Sequence, residues 1–498
     1  MDRSDKKSYR SYQSYSNLPP LIVKWVHNAI ALPNGVIPNQ SGSKSLDTVG
    51  KAQYTIRGDL TFRQRGSLTS DIMTTSTTQK PDQSTLATFW SHWSVVGASW
   101  IGLFFHFGSL LINTFGIFLT SLCAEFGWTR AEVSLAFTLA MVTAMISMPV
   151  AGWVTDRHGS RWLIIGATTL YGLALAALAG QSGAYWQLVA IFLLLGLLGP
   201  GTSAIPHATL LARRRSARAG LALGVAMSGT AVGGIVWPAA AQYLLDRFGL
   251  RTGYLLLGAG ILLIAVPVML LLLREEPGRQ SAPPPGSEAS SAGLTRLEAL
   301  RSPAFLILGI SFIIFMASVQ AIMIHLVPML TDRGMLASRA AWIASLLGLA
   351  GIFGRIVCGY LLDLLPPTTV PVIAFLLVAV GIILLATGAS GALAMVAVLL
   401  IGFGYGADAA SIPCLIRHYF GTRAFGQIYS YLFVAVPIGG AIGPMLMGIG
   451  FVRWGSYRLV LIGWGVLTLL AAGLMLRLAT LGRDAVDRSK GVGTDGLD

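Results

Sequence analysis

A guanidinium set in hydrocarbon has few uses, and Arg355 stands inside a long apolar run, eight residues before Asp363. At 1.5 Å per helical residue that puts it about 12 Å from the end of the run. Burying an arginine at such a depth costs about 2.5–3.5 kcal/mol even on an insertion scale, so a functional site is the default reading. Its flat fork of donors matches a planar carboxylate. The chemistry it offers is anion binding; the alternative is an internal ion pair that holds helices together. Asp408 lies nine residues before Arg417 in another apolar run, at a similar depth. A carboxylate there can carry a proton, or it can neutralise Arg355 when no anion is present. His106 is the one ionisable residue deep in the first long apolar run. It can donate to an anion or titrate near neutrality, or serve as a hydrogen-bonded core histidine. His325, read as an outer-gate or coupling residue, and His207 beside Pro206 are further candidates of the same kind.

Other chemistries lack their residues. There is no phosphate-binding glycine loop, nucleophile elbow or His-Glu-x-x-His pattern, each of which has a recognisable spacing. Cys123, Cys358 and Cys414 are far apart, with no metal or redox spacing, and read as buried small hydrophobes. No enzyme activity, metal or cofactor is expected. The formal net charge is +14, yet the basic residues fall in short clusters between apolar runs, so no nucleic acid is expected either.

The elements that position these residues follow from hydropathy. Hydrophobic residues make up 54% of the 498 and charged residues only 11%, against about 25% in soluble domains. Twelve apolar runs, numbered spans 1 to 12, are each about long enough to cross a bilayer. They lie near 94–120, 131–153, 162–181, 185–211, 218–244, 253–273, 303–330, 338–362, 368–388, 391–416, 425–450 and 457–477. The expected fold is an all-α membrane protein. Arg157, His158 and Arg161, then Arg213, Arg214, Arg215 and Arg218, then Arg417 and Arg423, and finally Arg477, Arg483, Arg488 and Lys490 all fall on one side of that arrangement. The positive-inside rule makes that side cytoplasmic, with both termini on it. Arg130, Arg247, Arg333 and Arg453 fall on the other side, so the bias is not absolute. Glycines recur at four-residue spacing, as in Gly229 with Gly233 and Gly439 with Gly443, which lets membrane helices approach closely.

Residues 1–92 are polar and read as a disordered tail. MTTSTTQKPDQST from Met73 resembles an ordinary short leader, and a natural start there is expected. Residues 274–302 form a polar linker holding Pro283-Pro284-Pro285-Gly286 and then LTRLEALRS (294–302), expected as a short amphipathic helix on the membrane surface. The halves are then 93–273 and 303–478, with a cytoplasmic tail over 479–498.

The halves repeat. Gly220, Gly233, Gly234, Pro238, Arg247 and Gly249 recur as Gly426, Gly439, Gly440, Pro444, Arg453 and Gly455, each shifted by 206; Gly152 and Asp156 recur as Gly359 and Asp363, shifted by 207. Parallel six-span repeats about an axis along the membrane normal are a transporter architecture, with the binding site between them near the midplane.

The segment Gly152-Trp-Val-Thr-Asp156-Arg157-His-Gly159-Ser-Arg161 resembles the loop 2–3 signature of the major facilitator superfamily. The resemblance implies that Asp156 sits at the N-terminus of span 11, where a carboxylate meets the positive helix end, and that Gly152, Asp156, Arg157, Gly159 and Arg161 form a gating motif. More narrowly, AEFGWTRAEVSLAF (124–137), RAGLALGVAMSGTAVGG (218–234), HLVPMLTDRG (325–334), GRIVCGYLLD (354–363) and HYFGTRAFGQIYS (418–430) resemble the monocarboxylate transporter and oxalate–formate antiporter branch. That branch implies a carboxylate-binding arginine at Arg355. Two departures stand out: span 11 has no Lys or Arg before Arg453, and span 1 has no Lys. They favour a cargo with one negative charge.

The expectation is alternating access in a cell membrane, moving a small organic anion by proton symport or anion exchange, with a monomer sufficient. Phe104, Phe105, His106, Asn113, Gln320, Arg355 and Tyr405 are the expected lining, with Asp408 or His325 as the coupling group. Efflux of drugs or other hydrophobic compounds is the alternative, although a buried arginine without an excess of buried acids argues against cationic drugs. A membrane sensor that has kept the fold is a third reading, and the tail shows no domain-like pattern to support it.

Overall fold

The computed structural model describes residues 83–214, 218–275 and 293–491. Among them, eleven helices are long and apolar enough to cross a membrane. One of these, Ala219–Leu272, has 54 residues, a length of about 81 Å and enough for two crossings. It breaks at Gly249 (φ 75°, ψ 178°), a conformation open to glycine and strained for other residues. The twelve spans are therefore present, and the turn between spans 5 and 6 narrows to that single residue.

The first helix begins at Gln83, and the membrane-length stretch it leads into runs His92–Phe126. The tail before Gln83, including Met73, lies outside the described residues, as does Pro283-Pro284-Pro285-Gly286. The expected surface helix covers Arg296–Arg301 and starts with a capping box, Thr295 with Glu298. Ala299 is fully buried against the bundle, and Leu294 N–H donates to Phe420 O at 2.9 Å. The linker's end thus docks on the loop between spans 10 and 11.

The surface is inside-out, as lipid demands. Ile146, Leu263, Leu271 and Val452 are exposed, while Trp162, Trp186, Trp342 and Trp454 stand exposed near span ends, where amphipathic rings favour the headgroup level. Backbones cross closely where glycines permit. A Cβ on Gly229 would meet Trp100 O, and one on Gly233 would lie 2.6 Å from Phe104 O, which fixes span 5 against span 1. Gly439 and Gly443 do the same for span 11 against Met316 and Ala317 of span 7.

Three spans are interrupted, each of which reads as one continuous run in the sequence. Span 1 leaves helical form at Phe105 and His106, then makes a π-turn over Gly108–Ile112. Span 4 divides at Ser203, between Tyr185–Thr202 and Ala204–Ala212. Span 11 divides at Val434, between Phe425–Phe433 and Ala435–Trp454. Breaks inside a membrane need partners for the freed backbone groups. In span 1, Leu103 O accepts from His106 Nδ1 (2.6 Å) and Ser109 Oγ (3.1 Å). Phe104 O accepts from Trp237 Nε1 (2.6 Å), and Phe107 N–H donates to Thr202 Oγ1 (3.2 Å).

Candidate substrate site

Arg355, Tyr405 and Asp408 meet because spans 8 and 10 almost touch. A Cβ on Gly402 would strike Leu347 O, one on Gly406 would strike Gly351 O, and one on Gly354 would strike Phe403 O. The Arg355 guanidinium carbon lies 5.8 Å from the Tyr405 ring centroid, within cation–π range. Arg355 is only 7% exposed, and its Nε and Nη1 make no hydrogen bond among the described residues. Asp408 is close enough for the two charges to act on each other. Yet no ion pair within 4 Å joins them among the described residues, and Asp408 Oδ1 is also without a hydrogen-bond partner. A buried, under-bonded guanidinium is costly unless something completes it.

Both residues line a cavity of about 300 Å³ between the halves. The first half contributes His106, Gly108, Ser109, Asn113, Ala204, Met227 and Thr230; the second adds Met316, Gln320, Met323, Tyr405, Ala409, Ile412, Tyr429, Phe433 and Val436. All three interrupted spans reach it at or beside their breaks. Discontinuous membrane helices at a repeat interface are where transporter sites form. The repeat also shapes the walls. Asn113 and Gln320 differ by 207, and their amide nitrogens lie 3.4 and 3.3 Å from where Cβ atoms of Gly234 and Gly440 would stand. In each paired glycine of the repeat, the first lets helices cross and the second makes room for a carboxamide.

Of the expected lining, Arg355, His106, Asn113, Gln320, Tyr405 and Asp408 share this cavity. Phe105 does not. It is buried against Trp237, with ring centroids 4.9 Å apart, because the break in span 1 turns it into the first half. Phe104 stacks on Trp100 at 5.6 Å and is also absent from the walls. His325 is not among the cavity's lining residues either. Its Nε2 donates to Pro444 O at 3.1 Å and its ring packs 5.6 Å from Tyr457, which keeps it inside the second half away from the cavity. His207 is fully buried behind span 1, over Gly102. Ser109, Thr230, Tyr429 and the three methionines were missed: they carry no charge, and nothing in an apolar run separates the side chains that face a cavity from those that face a neighbouring helix or lipid.

The gating motif divides in two. Asp156 accepts from the backbone N–H groups of Gly426 and Gln427, both at 2.9 Å, and from Gln427 Nε2 at 3.3 Å. Arg213 Nη2 lies 2.6 Å from its Oδ1. A Cβ on Gly152 would strike Gly426 O. Arg157, by contrast, lies over the Trp153 ring at 5.3 Å. Arg161 donates to Leu270 O at 3.1 Å and to Glu275 at 2.8 Å, and Gly159 has φ 90°. These three shape the turn within the first half. The repeat supplies a second junction. Asp363 accepts from the N–H groups of Gly220 (2.6 Å) and Leu221 (2.9 Å), while Gly359 would place a Cβ 2.6 Å from Gly220 O. Each half thus lends one carboxylate to a helix N-terminus of the other, where free N–H groups and the helix dipole favour it. The shifts of 206 and 207 held that information.

The family model for the Major Facilitator Superfamily matches residues 99–407, and the chain belongs to that family. It is 28% identical over 402 residues to "MFS-type transporter 1" of Ophiocordyceps sp. (strain BCC 1869), covering 77% of this chain and 84% of that protein. It is 27% identical over 352 residues to human "Monocarboxylate transporter 11", covering 68% and 73%. Against bovine "Monocarboxylate transporter 13" the figures are 26% over 401 residues, covering 78% and 89%. Among solved structures, the human organic anion transporter MFSD10 superposes with a TM-score of 0.59 at 16% identity, covering 77% of this chain and 99% of that one. The E. coli fucose:proton symporter FucP gives 0.59 at 18%, covering 77% and 98%. These two likenesses concern the fold.

Proposed function

We propose that this transporter moves a small monocarboxylate across a cell membrane by alternating access, with its basic end and both termini in the cytoplasm. One observation carries the reading: Arg355 is a buried cation with unpartnered donors beside the cavity between the halves. A carboxylate would complete it with paired, charge-assisted hydrogen bonds. Asp408 on the same wall supports proton symport, in which a proton on the acid leaves the guanidinium's field to the cargo; anion exchange is the other mode compatible with this site. The resemblance to monocarboxylate transporters 11 and 13 points the same way. Energy must then come from ion or solute gradients.

Met227, Met316 and Met323, with Ile412 and Phe433, make part of the wall soft and apolar, which suits hydrophobic cargo and favours efflux as the second reading. Uptake of labelled lactate, pyruvate, formate and oxalate into proteoliposomes, with and without a pH gradient, separates them. Monocarboxylate uptake is expected in the unmodified protein, oxalate uptake much less. Arg355→Ala should abolish it in protein that remains folded, and Arg355→Lys should impair it by about tenfold or more, because a point charge cannot replace the fork. Normal uptake by Arg355→Ala would leave the efflux reading standing.

A further inference from the structure

Span 1 shows the cavity hydrogen-bond acceptors, and the chain's own bonds fix that polarity. The two hydrogens of Asn113 Nδ2 are directed at Gly108 O and Ser109 O, each at 3.1 Å. Turning the amide over would set its oxygen against two carbonyls, which only accept. Oδ1 is therefore the atom left to the cavity. His106 Nδ1 lies 2.6 Å from Leu103 O, 2.8 Å from Ser109 Oγ and 3.4 Å from Ser109 N, and the carbonyl is both its shortest contact and the one that can only accept. A carbonyl needs a donor, so in the neutral ring Nδ1 carries the hydrogen and Nε2 keeps its lone pair. The anion-donating role expected of His106 is thus not available to Nδ1. On the opposite wall Arg355 is donor only. Across the cavity from these acceptors stand the Arg355 donors, with the Asp408 carboxylate beside them.

We infer that Asn113 Oδ1 and His106 Nε2 form a subsite for a hydroxyl donor on the cargo, so that the transporter prefers hydroxylated monocarboxylates to their deoxy and oxo counterparts. The inference rests on the monocarboxylate reading. Once cargo covers the exposed Asn113 amide, a methylene in place of the hydroxyl leaves that acceptor unpaired, and an oxo group sets lone pair against lone pair. Sites built to bond a substrate hydroxyl reject analogues lacking it more strongly than apolar pockets reject a missing methylene. Because Asn113 belongs to the first half and Arg355 to the second, a cargo with both groups also bridges the two bodies that must move together. Asp408, the other acceptor, shares Arg355's wall, so a hydroxyl read by Asp408 would not respond to changes at Asn113.

The test is a set of uptake ratios with the full chain in proteoliposomes: lactate against propionate and pyruvate, and 3-hydroxybutyrate against butyrate. The unmodified protein should favour the hydroxyl member by about tenfold, the effect of one lost buried hydrogen bond. In Asn113→Leu the ratio should fall to within about twofold of unity, whatever the absolute rate; Asn113→Ala carries the same expectation if the leucine variant is not recovered folded. His106→Phe should lower it part of the way. A ratio near one in the unmodified protein, or an unchanged preference in the Asn113 variants, overturns the subsite while Arg355-dependent uptake leaves the monocarboxylate reading intact. If no acid in the panel is carried in an Arg355-dependent way, both fall.

Discussion

Arg355 and Asp408 were legible as residues because a charge inside an apolar run has no ordinary reason to be there. Their relation to each other was not, because it depends on the glycine crossing of spans 8 and 10. The histidines divide on the same ground. His106 reaches the cavity through a break that no periodicity reveals, and the break also turns Phe105 away. His325 is an apolar-run histidine by sequence and a hydrogen-bonded strut by geometry. If Asp408 carries the coupled proton, Asp408→Asn should lose the acceleration of uptake by an inward proton gradient while keeping exchange of internal for external cargo. His325→Gln should retain that acceleration, since its ring meets Pro444 and Tyr457 rather than the cavity. Counterflow and gradient-driven uptake, measured on the same vesicles, distinguish the two. Loss of coupling in His325→Gln alone would reverse the assignment.

At the scale of elements, the glycines decide which helices touch. The sequence exposed Gly229 with Gly233 and Gly439 with Gly443 through their spacing, and each sits at a crossing. Gly402 with Gly406, at the same spacing, escaped notice although they set the distance between Arg355 and Asp408. Spacing alone cannot rank glycines, because many face open space. A Cβ on Gly116 would meet no atom within 4 Å, whereas one on Gly406 would run into Gly351 O, Arg355 N and Gly354 Cα. Gly406→Ala should therefore destabilise the protein by about 1–3 kcal/mol or more, the cost of overpacking where backbone cannot yield. Gly116→Ala should be neutral or slightly stabilising, as in any helix interior. Thermal unfolding in detergent followed by tryptophan fluorescence checks both. Equal melting temperatures for the two variants would mean that spans 8 and 10 are not held by this contact.

For the whole molecule, the two carboxylate junctions are the points where the halves are tied at the basic end, and span 8 carries one of them together with Arg355. A cargo pulling on the guanidinium thus acts on the same rigid helix whose Asp363 holds Gly220 and Leu221, about 12 Å away. Only one junction was visible as a motif; the other follows from the repeat once the first is seen in place. They are not equal. Asp156 has Arg213 and the Gln427 side chain in addition to two backbone donors, whereas the hydrogen bonds to Asp363 among the described residues are the two from backbone. A charge-assisted hydrogen bond is worth about 1.5–3 kcal/mol and each 1.4 kcal/mol shifts a two-state equilibrium about tenfold. Asp156→Asn and Asp363→Asn should both move the population toward the state open at the basic end, Asp156→Asn further. The double variant should move it by about the product of the two factors, because the junctions are built on different helices and share no partner. A Thr230→Cys reporter in the cavity, with Cys123, Cys358 and Cys414 replaced by serine, gives the readout: labelling by a membrane-impermeant thiol reagent from the basic side should be lowest with both carboxylates intact, higher in Asp363→Asn, higher again in Asp156→Asn and highest in the double variant. Opposite shifts from the two single variants would show that the junctions oppose each other rather than closing the same end.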